Sequence, residues 1–228
     1  MLECNSITKR YMNKTAVDHV TISLDYGKVY ALLGSNGSGK STFMKMITGL
    51  IKPSEGTITL DGQSIGVETK SHVAYMPTEN YFFPYMTCID IGKYYADFFE
   101  DFSFDRYMNM LSEMQLEPSQ KAAKMSSGML AKLKLAVTLS RDAKVIMLDE
   151  PLNGIDIIAR EHIINAIIAH TAPDKIIILS SHLVDELESI IDYAIFIKDG
   201  VLIAHGDAEE LRQSKGKSIV DQYKELFA

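Results

Sequence analysis

A glycine-rich segment that ends in Lys and Ser is the part of the chain whose residue types most directly indicate chemistry. It matches the pattern G-x-x-x-x-G-K-S/T with Gly34, Ser35, Asn36, Gly37, Ser38, Gly39, Lys40 and Ser41. Glycine lacks a Cβ, so the backbone can turn its N–H groups inward and approach a phosphate closely. We expect Lys40 to contact the β- and γ-phosphates, Ser41 to bind Mg²⁺, and Thr42 to belong to the same site. The segment therefore predicts a nucleoside triphosphate site.

Two adjacent carboxylates, Asp149 and Glu150, could supply the second half of this site. They follow the apolar run 145–148, which predicts a buried strand. Ligands of open α/β sheets bind beyond the carboxyl ends of the strands. Asp149 is placed to hold Mg²⁺ through water, and Glu150 to accept a proton from an attacking water.

The elements that must position these residues are short apolar strands alternating with helices. Strands are predicted at 29–33, 145–148 and 176–179, and helices from about residues 40, 156 and 183. The second and third strands are apolar at every position, which is typical of strands covered on both faces. The order therefore predicts an α/β fold with a mostly parallel central sheet and flanking helices. Hairpin patterns in residues 1–30 and 56–62 predict a smaller antiparallel sheet beside it.

The middle of the chain has a different composition, because 12 of the 20 Tyr and Phe residues fall between Tyr75 and Tyr107. No strong strand pattern occurs from about 87 to 115, so this region predicts a helical insertion. We therefore expect a single domain over 1–228. Its core comprises about 1–77 and 142–216, its helical subdomain about 84–141, and its C-terminal tail about 217–228.

Composition narrows the classes of function. The 228 residues are 46% hydrophobic and carry a formal net charge of −7, which argues against nucleic acid as a partner. Cys4 and Cys88 are too few for a disulfide framework or a zinc cluster. No apolar run reaches the roughly 18 residues of a membrane helix, so we expect a cytoplasmic protein.

Several separated motifs together resemble the ATP-binding subunit of ABC transporters over nearly the whole chain. Residues 125–129 are similar to the LSGGQ signature and match it at Ser126 and Gly128. Residues 151–156 resemble the segment after the catalytic glutamate, which places Asp156 as the D-loop aspartate. His182 ends a predicted strand, as the switch histidine does in the family, and Tyr11 stands where an aromatic ring stacks on adenine. The resemblance implies a P-loop NTPase of the ABC ATPase type, binding ATP and Mg²⁺.

The resemblance also implies how the site works. Two subunits pair head to tail, so that Ser126 and Gly128 of one complete the nucleotide site of the other. Glu150 is then the general base, His182 contacts the γ-phosphate and the attacking water, and Asp156 links the two sites. Hydrolysis should require a dimer.

The chain departs from the family pattern where a glutamine usually follows the strand 73–76. Thr78 and Glu79 stand there instead. Either Glu79 takes the Mg²⁺ and coupling role after a one-residue slip, which we favour, or the Thr78 hydroxyl does. Ser127 and Met129 also replace the usual glycine and glutamine of the signature.

The aromatic stretch 81–86 has two interpretations. In the family this region forms a groove that receives a helix of the membrane subunit, and an aromatic surface suits such a contact. The same residues could instead pack the core of the helical insertion. Our hypothesis is that they do both, with Phe82 and Phe83 contributing to docking.

The function implied is an ATPase subunit that powers a separately encoded membrane permease and lies on the inner face of the cell membrane. Its closest branch by resemblance is the exporters of drugs, peptides or lantibiotics. Alternatives are a non-transport ABC-type ATPase acting on ribosomes or nucleic acid, and a small-molecule kinase with the same phosphate loop. Whether the second ATPase subunit is an identical or a different chain is open.

Overall fold

The computed structural model describes the backbone of residues 1–228 and the side chains of residues 1–156 and 160–228. The strands are β1 (Leu2–Tyr11), β2 (Lys14–Leu24), β3 (Lys28–Leu33), β4 (Glu55–Leu60), β5 (Gln63–Ser64), β6 (Val73–Met76), β7 (Val145–Asp149), β8 (Ile176–Ser181), β9 (Tyr193–Lys198) and β10 (Val201–Asp207). The helices are α1 (Lys40–Ile47), α2 (Val67–Lys70), α3 (Cys88–Phe98), α4 (Phe104–Glu113), α5 (Ser127–Leu139), α6 (Ile157–Ala169), α7 (Val184–Leu187), α8 (Ala208–Lys215) and α9 (Ile219–Phe227), with a 3-10 turn at Ala122–Lys124.

The larger sheet has six strands in the spatial order β10, β9, β3, β8, β7, β6. Its neighbouring strands run parallel, except that β10 pairs antiparallel with β9. Strands β7 and β8 are buried at every position, as their unbroken apolar runs predict. The carboxyl ends of β3, β7 and β8 consequently lie side by side at one edge of the sheet.

The two faces of this sheet belong to two different cores. Val145 and Met147 of β7 pack in the same buried cluster as Phe43 and Met44 of α1. Ile146 and Leu148 point to the other face, into a cluster that includes apolar residues of α5. This alternation places Asp149 on the side of the sheet that α1 covers.

The smaller sheet is antiparallel, with four strands in the order β2, β1, β4, β5. The turn between β4 and β5 is formed by Asp61 and Gly62, whose φ values of 51° and 78° are both in the left-handed region. The β1–β2 hairpin carries Tyr11 and Lys14, which pair with each other beside the hairpin turn. This hairpin brings the N-terminal region toward the phosphate loop, where Ala16 and Gly39 approach closely.

The helical insertion is attached to the sheet through Arg141, just beyond α5. Its guanidinium donates to both carboxylate oxygens of Asp101, at 2.8 and 3.0 Å, and to the carbonyl of Ser71 at 2.6 Å. The Phe99 ring centroid lies 3.9 Å from the guanidinium carbon. Because Ser71 precedes β6 and Asp101 follows α3, this one side chain joins the two parts of the molecule.

The structure gives the lengths of two helices, α7 and α9, that the sequence did not define. The helix predicted from about residue 183 is the four-residue α7, and the predicted tail contains the nine-residue helix α9, whose Ile219 is fully buried. None of the helices described is long and apolar enough to cross a membrane.

Candidate functional site

The phosphate loop between β3 and α1 has a backbone that requires glycine. Gly37 and Gly39 have φ values of 81° and 110°. A Cβ on Gly39 would lie 2.3 Å from the carbonyl oxygen of Ala16, and one on Gly34 would lie 2.3 Å from that of Ile197. The buried hydroxyl of Ser38 has no hydrogen-bond partner. A glycine-built cradle at the start of a helix, with a spare buried donor, fits a phosphate group.

Lys40 lies inside this loop. Its ammonium donates to the carbonyl oxygens of Gly34 at 2.7 Å and Ser35 at 3.2 Å, and its side chain is only 6% exposed. The same ammonium lies 3.4 Å from Oε1 of Glu150. The cation predicted for the phosphates and the carboxylate predicted for catalysis therefore meet in one place.

A cavity of about 400 Å³ opens over the loop. Its lining includes Tyr11, Asn36, Gly37, Gly39, Lys40, Ser41, Thr42, Thr78 and Glu150, all named from the sequence, and also Lys14, Ala16 and Asn153. The Tyr11 ring is 45% exposed, with the Lys9 ammonium 5.2 Å from its centroid. The structure thus brings the residue expected at adenine and the residues expected at phosphate to one cavity. Lys14, Ala16 and Asn153 were not predicted, because only the folded hairpin and turn bring them there.

Asp149 is fully buried, and each of its carboxylate oxygens accepts a hydrogen bond from a hydroxyl group. The Ser180 hydroxyl on β8 donates to Oδ1 at 2.5 Å, and the Tyr75 hydroxyl on β6 donates to Oδ2 at 3.1 Å. Burial, followed by the charge of Asp149, raises the pKa of Tyr75 well above its ordinary value. A carboxylate has about four acceptor sites, so Asp149 retains acceptor capacity toward a metal-bound water.

Glu150 follows at the end of β7 with a φ of 52°, a left-handed conformation that is rare for glutamate. Its N–H donates to the hydroxyl of Ser180 at 2.9 Å. Its Oε2 lies 2.7 Å from Nδ1 of His182, while the buried Oε1 has no hydrogen-bond partner apart from its ion pair with Lys40. A buried carboxylate oxygen with free acceptor capacity is suited to hold and deprotonate a water molecule.

The predicted signature begins helix α5. The Ser126 hydroxyl accepts a hydrogen bond from the N–H of Met129 at 3.3 Å, as an N-cap does. A Cβ on Gly128 would lie 3.4 Å from the carbonyl oxygen of Gly154, two residues before Asp156. The lining of the cavity, as far as the structure describes side chains, does not include Ser126, Gly128 or Asp156.

The two candidates for the missing glutamine lie in different surroundings. Thr78 lines the cavity, whereas Glu79 is 62% exposed and pairs with Lys45 at 2.9 Å. This hydrogen bond from Lys45 lowers the pKa of Glu79. Thr78 therefore lies at the cavity and Glu79 at the surface, and the role preferred for Glu79 from the sequence stays a prediction.

Lys134 is a residue of this loop region that sequence reasoning missed. It is 6% exposed, and its ammonium donates to the carbonyl oxygens of Pro77 and Thr78, both at 2.8 Å. Its charged position within the apolar run of α5, between Leu133 and Leu135, was the available signal. Lys134 ties the helix that carries the signature to the loop beside the cavity.

The aromatic stretch divides between the two interpretations. Phe82 is 7% exposed and packs in the core, so its expected docking role is not supported by its placement. We define the aromatic surface as the exposed rings of Phe83, Tyr85, Tyr94 and Phe98. Phe83 stacks on Tyr85 with centroids 5.6 Å apart, and Tyr94 lies 4.6 Å from Phe98.

A second cavity, of about 460 Å³, lies between the sheet and the helical insertion. We call it the groove and define it by six of its lining residues, Leu50, Tyr75, Tyr81, Tyr95, Phe99 and Arg141. The groove is therefore lined both by Tyr75, whose hydroxyl donates to Asp149, and by Arg141, which attaches the helical insertion to the sheet.

The residues expected to hold Mg²⁺ are a hydroxyl and a carboxylate. Among the side chains that the structure describes, no group of three or more His, Cys, Asp or Glu residues could hold a metal ion. Mg²⁺ is commonly held by one or two protein ligands together with phosphate oxygens and water. Ser41 and Asp149 fit that arrangement.

Comparison with known proteins places these observations in a family. The family described as ABC transporter matches residues 17–153. The SkfA peptide export ATP-binding protein SkfE of Bacillus subtilis (strain 168) is 30% identical over 209 residues, which cover 89% of this chain and 87% of that protein. The lantibiotic transport ATP-binding protein SrtF of Streptococcus pyogenes is 30% identical over 205 residues, which cover 89% of each chain.

A solved structure with a similar fold supports the same family. A solved ATP binding subunit of an ABC transporter has a TM-score of 0.89 and 27% identity, and the match covers 99% of each chain. Some relatives are longer, since the chain spans 59% of an uncharacterised ABC transporter ATP-binding protein of Synechocystis sp. that is 32% identical to it.

Proposed function

The chain belongs to the ABC transporter family, and from this premise we propose that it is the ATP-binding and ATP-hydrolysing subunit of a transporter whose permease is a separate chain. The family resemblance and the ABC ATPase fold class expected from the sequence are confirmed. One observation carries the proposed hydrolysis: the Glu150 carboxylate lies 3.4 Å from the Lys40 ammonium in the phosphate loop. A base and a phosphate-binding cation are thereby adjacent.

The residues of the loop bind and orient the triphosphate. The backbone N–H groups of 34–41 and the start of α1 face the phosphates, and Lys40 moves from its carbonyl partners to the β- and γ-phosphates. Ser41 and Asp149 would hold Mg²⁺, which would neutralise negative charge on the triphosphate. Tyr11 offers its exposed ring to the adenine.

Glu150 and His182 act on the attacking water. The free Oε1 of Glu150 accepts the proton of the water, and the 2.7 Å contact between Oε2 and His182 fixes the direction of the carboxylate. The side chain of His182 is 32% exposed, and the family resemblance implies that it also contacts the γ-phosphate. Positioning and charge stabilisation, rather than covalent chemistry, supply the rate enhancement.

A second ATPase subunit completes the site. Ser126 and Gly128 offer a helix start that favours anions, but they do not line the cavity of their own chain. Head-to-tail pairing would bring this helix start to the phosphates held by the other subunit. The second subunit is either an identical copy or a related chain.

The membrane partner is proposed to dock on the groove and the aromatic surface. Exposed rings next to an apolar groove suit an amphipathic helix, and the exposed carboxylates Asp97 and Glu100 favour basic residues on its flanks. In a co-expression pull-down, Phe83→Ser should reduce capture of the permease, while Met12→Ser, at a fully exposed residue elsewhere, should not. Equal capture by both variants would contradict docking at this surface.

The cargo class follows from the relatives. SkfE and SrtF are named for peptide export and lantibiotic transport, so we propose that the transporter exports a peptide, a lantibiotic or a similar drug. The ATPase would then lie on the inner face of the cell membrane, held there by the permease. Action on ribosomes or nucleic acid is less favoured, because the net charge is −7.

The experiment that tests the core of this proposal is Mg²⁺-dependent ATP hydrolysis over a range of protein concentrations. The rate should rise faster than linearly with concentration, and Glu150→Gln should lower it by about 10²-fold or more while ATP binding persists. Glu113→Gln, at an exposed carboxylate at the end of α4, is the matched control and should remain active. Unchanged hydrolysis in Glu150→Gln would exclude Glu150 as the base.

A further inference from the structure

Tyr75 belongs to two parts of the molecule at once. It is one of the residues that line the groove, and its hydroxyl donates to Oδ2 of Asp149 at 3.1 Å. Tyr75 lies on β6 and Asp149 ends the neighbouring strand β7, with Tyr75 paired to Met147 in the parallel register. A change in the groove therefore has a direct physical path to the buried carboxylate.

The orientation of Asp149 depends on two hydroxyl groups from opposite sides. Ser180 on β8 holds Oδ1 at 2.5 Å, and Tyr75 on β6 holds Oδ2. The Ser180 hydroxyl also accepts a hydrogen bond from the N–H of Glu150. Oδ1 of Asp149 is therefore held by a residue that is itself bonded to the end of β7. Tyr75 is the partner of Asp149 that faces the groove, so it is the one that a ligand in the groove could displace.

The loop after β6 is held elsewhere. The carbonyl oxygens of Pro77 and Thr78 accept hydrogen bonds from Lys134, and the Thr78 hydroxyl donates to Glu79 at 3.3 Å. Within residues 73–79, whose side chains are all described, Tyr75 is the residue that hydrogen-bonds to Asp149.

We propose that Tyr75 is a positioning residue that orients Asp149 toward Mg²⁺ and transmits the state of the groove to the nucleotide site. This inference rests on the proposed function, because Asp149 matters here as a residue that holds Mg²⁺. Partners that orient metal-binding carboxylates commonly change metal affinity by 10- to 100-fold when they are removed. Filling or reshaping the groove would move the ring, and with it the donor to Oδ2.

The test compares Tyr75→Phe with Tyr26→Phe. Both changes remove a hydroxyl that donates to an aspartate. Tyr26 lies just before β3, and its hydroxyl donates to Asp61 in the turn between β4 and β5, away from the phosphate loop. Binding of a fluorescent ADP analogue is measured over a Mg²⁺ titration. Tyr75→Phe should raise the Mg²⁺ concentration for half-maximal binding by about tenfold or more, while binding without Mg²⁺ stays unchanged. Tyr26→Phe should leave both measurements unchanged.

A second readout concerns the groove. The chain has no tryptophan, so Phe99→Trp places a single indole in the groove wall. Addition of Mg²⁺ and the ADP analogue should change its emission, and Tyr75→Phe in the same background should abolish that change. The melting temperature of each protein without nucleotide shows that it remains folded.

The outcomes separate the two proposals. An unaltered Mg²⁺ requirement in folded Tyr75→Phe, or an emission change that persists in it, overturns the positioning role. If the wild-type chain binds no nucleotide at any Mg²⁺ concentration, the proposed function itself is wrong.

Discussion

At the scale of single residues, the site shows how two adjacent carboxylates acquire different properties. Asp149 is fully buried between two hydroxyl donors, whereas Glu150 turns out of the strand and meets Lys40 and His182. Glu150 stands just after β7 with a left-handed backbone, at a φ of 52°. The residue proposed to hold the metal and the residue proposed as the base therefore have different surroundings although they are adjacent in the chain.

The phosphate loop supplies the first prediction. Gly39→Ala would place a Cβ 2.3 Å from a backbone oxygen at a residue whose φ is 110°. ATP affinity should therefore fall at least about tenfold, and the free energy of unfolding should fall by about 1–3 kcal/mol. Isothermal titration and urea unfolding measure the two effects. Gly216→Ala is the control, because its φ is 61° but no atom lies within 4 Å of the new Cβ. It should lose about 1 kcal/mol of stability and keep its ATP affinity. Equal ATP binding by wild type and Gly39→Ala would contradict the cradle.

Lys134 gives a prediction about pH. Burial lowers its pKa from the ordinary 10.5, so between the lowered value and 10.5 the unfolded chain binds more protons than the folded one. The contribution of Lys134 to the free energy of unfolding therefore rises with pH in that window. Lys134→Met lacks this contribution, so wild type should gain stability relative to the variant between neutral pH and a pH just below 10.5. Urea midpoints at both values measure it, with the exposed Lys124→Met as control. A constant difference between wild type and Lys134→Met would contradict the burial of a charged amine.

At the scale of elements, the helical insertion depends on a small number of side chains that cross to the sheet. Arg141 reaches the Ser71 carbonyl before β6, and Lys134 reaches the loop after β6. Both come from α5 or the residues just after it, and α5 also begins with the signature Ser126. Movement of α5 would therefore displace the signature, the loop beside the cavity and the wall of the groove together.

The Arg141 attachment can be tested by a conservative change. Arg141→Lys keeps the charge but loses the planar fork that holds both oxygens of Asp101, so stability should fall by about 1.5–3 kcal/mol. Hydrogen exchange should accelerate in α3 and α4 more than in β7 and β8. Lys144→Ala removes an exposed pair with Asp61, and should cost less than about 1 kcal/mol. Uniform acceleration of exchange across the protein would show that Arg141 supports overall stability instead of this attachment.

At the scale of the whole molecule, the phosphate loop and the predicted signature residues Ser126 and Gly128 do not line the same cavity in the part of the chain that the structure describes. The phosphate loop lies at the carboxyl edge of the sheet, and the signature begins a helix whose start does not line that cavity. Closed pairing of two such chains requires each to offer its signature to the other. Catalysis then becomes a property of the pair.

Mixing two inactive variants tests this arrangement. Lys40→Ala damages the loop, and Gly128→Asp places a negative charge where the signature would meet phosphate. Head-to-tail pairing of equal amounts leaves one intact site in each mixed dimer, so about a quarter of wild-type hydrolysis should return. Each variant alone provides the baseline. If the mixture is as inactive as either variant alone, the two half-sites do not combine between chains.

Much of this organisation was predictable from the sequence, and the exceptions have a common cause. The strands at 145–148 and 176–179 were predicted because their unbroken apolar runs reflect burial on both faces. The phosphate loop was predicted because its backbone requires glycine at fixed positions. Tyr75, Lys134 and Asn153 were missed as site residues, since their importance comes from contacts with residues distant in the chain. Phe82 and Phe83 are adjacent and chemically identical, so only the folded structure separates core from surface.

The left-handed backbone of Glu150 has a consequence for selection. A φ of 52° favours asparagine or glycine, and holding another residue there costs about 1–2 kcal/mol. Variants chosen only for heat resistance would therefore be expected to include Glu150→Asn, which relieves the backbone and removes the proposed base. If glutamate persists at this position through evolution, selection for ATP hydrolysis maintains it, because selection for stability alone would replace it.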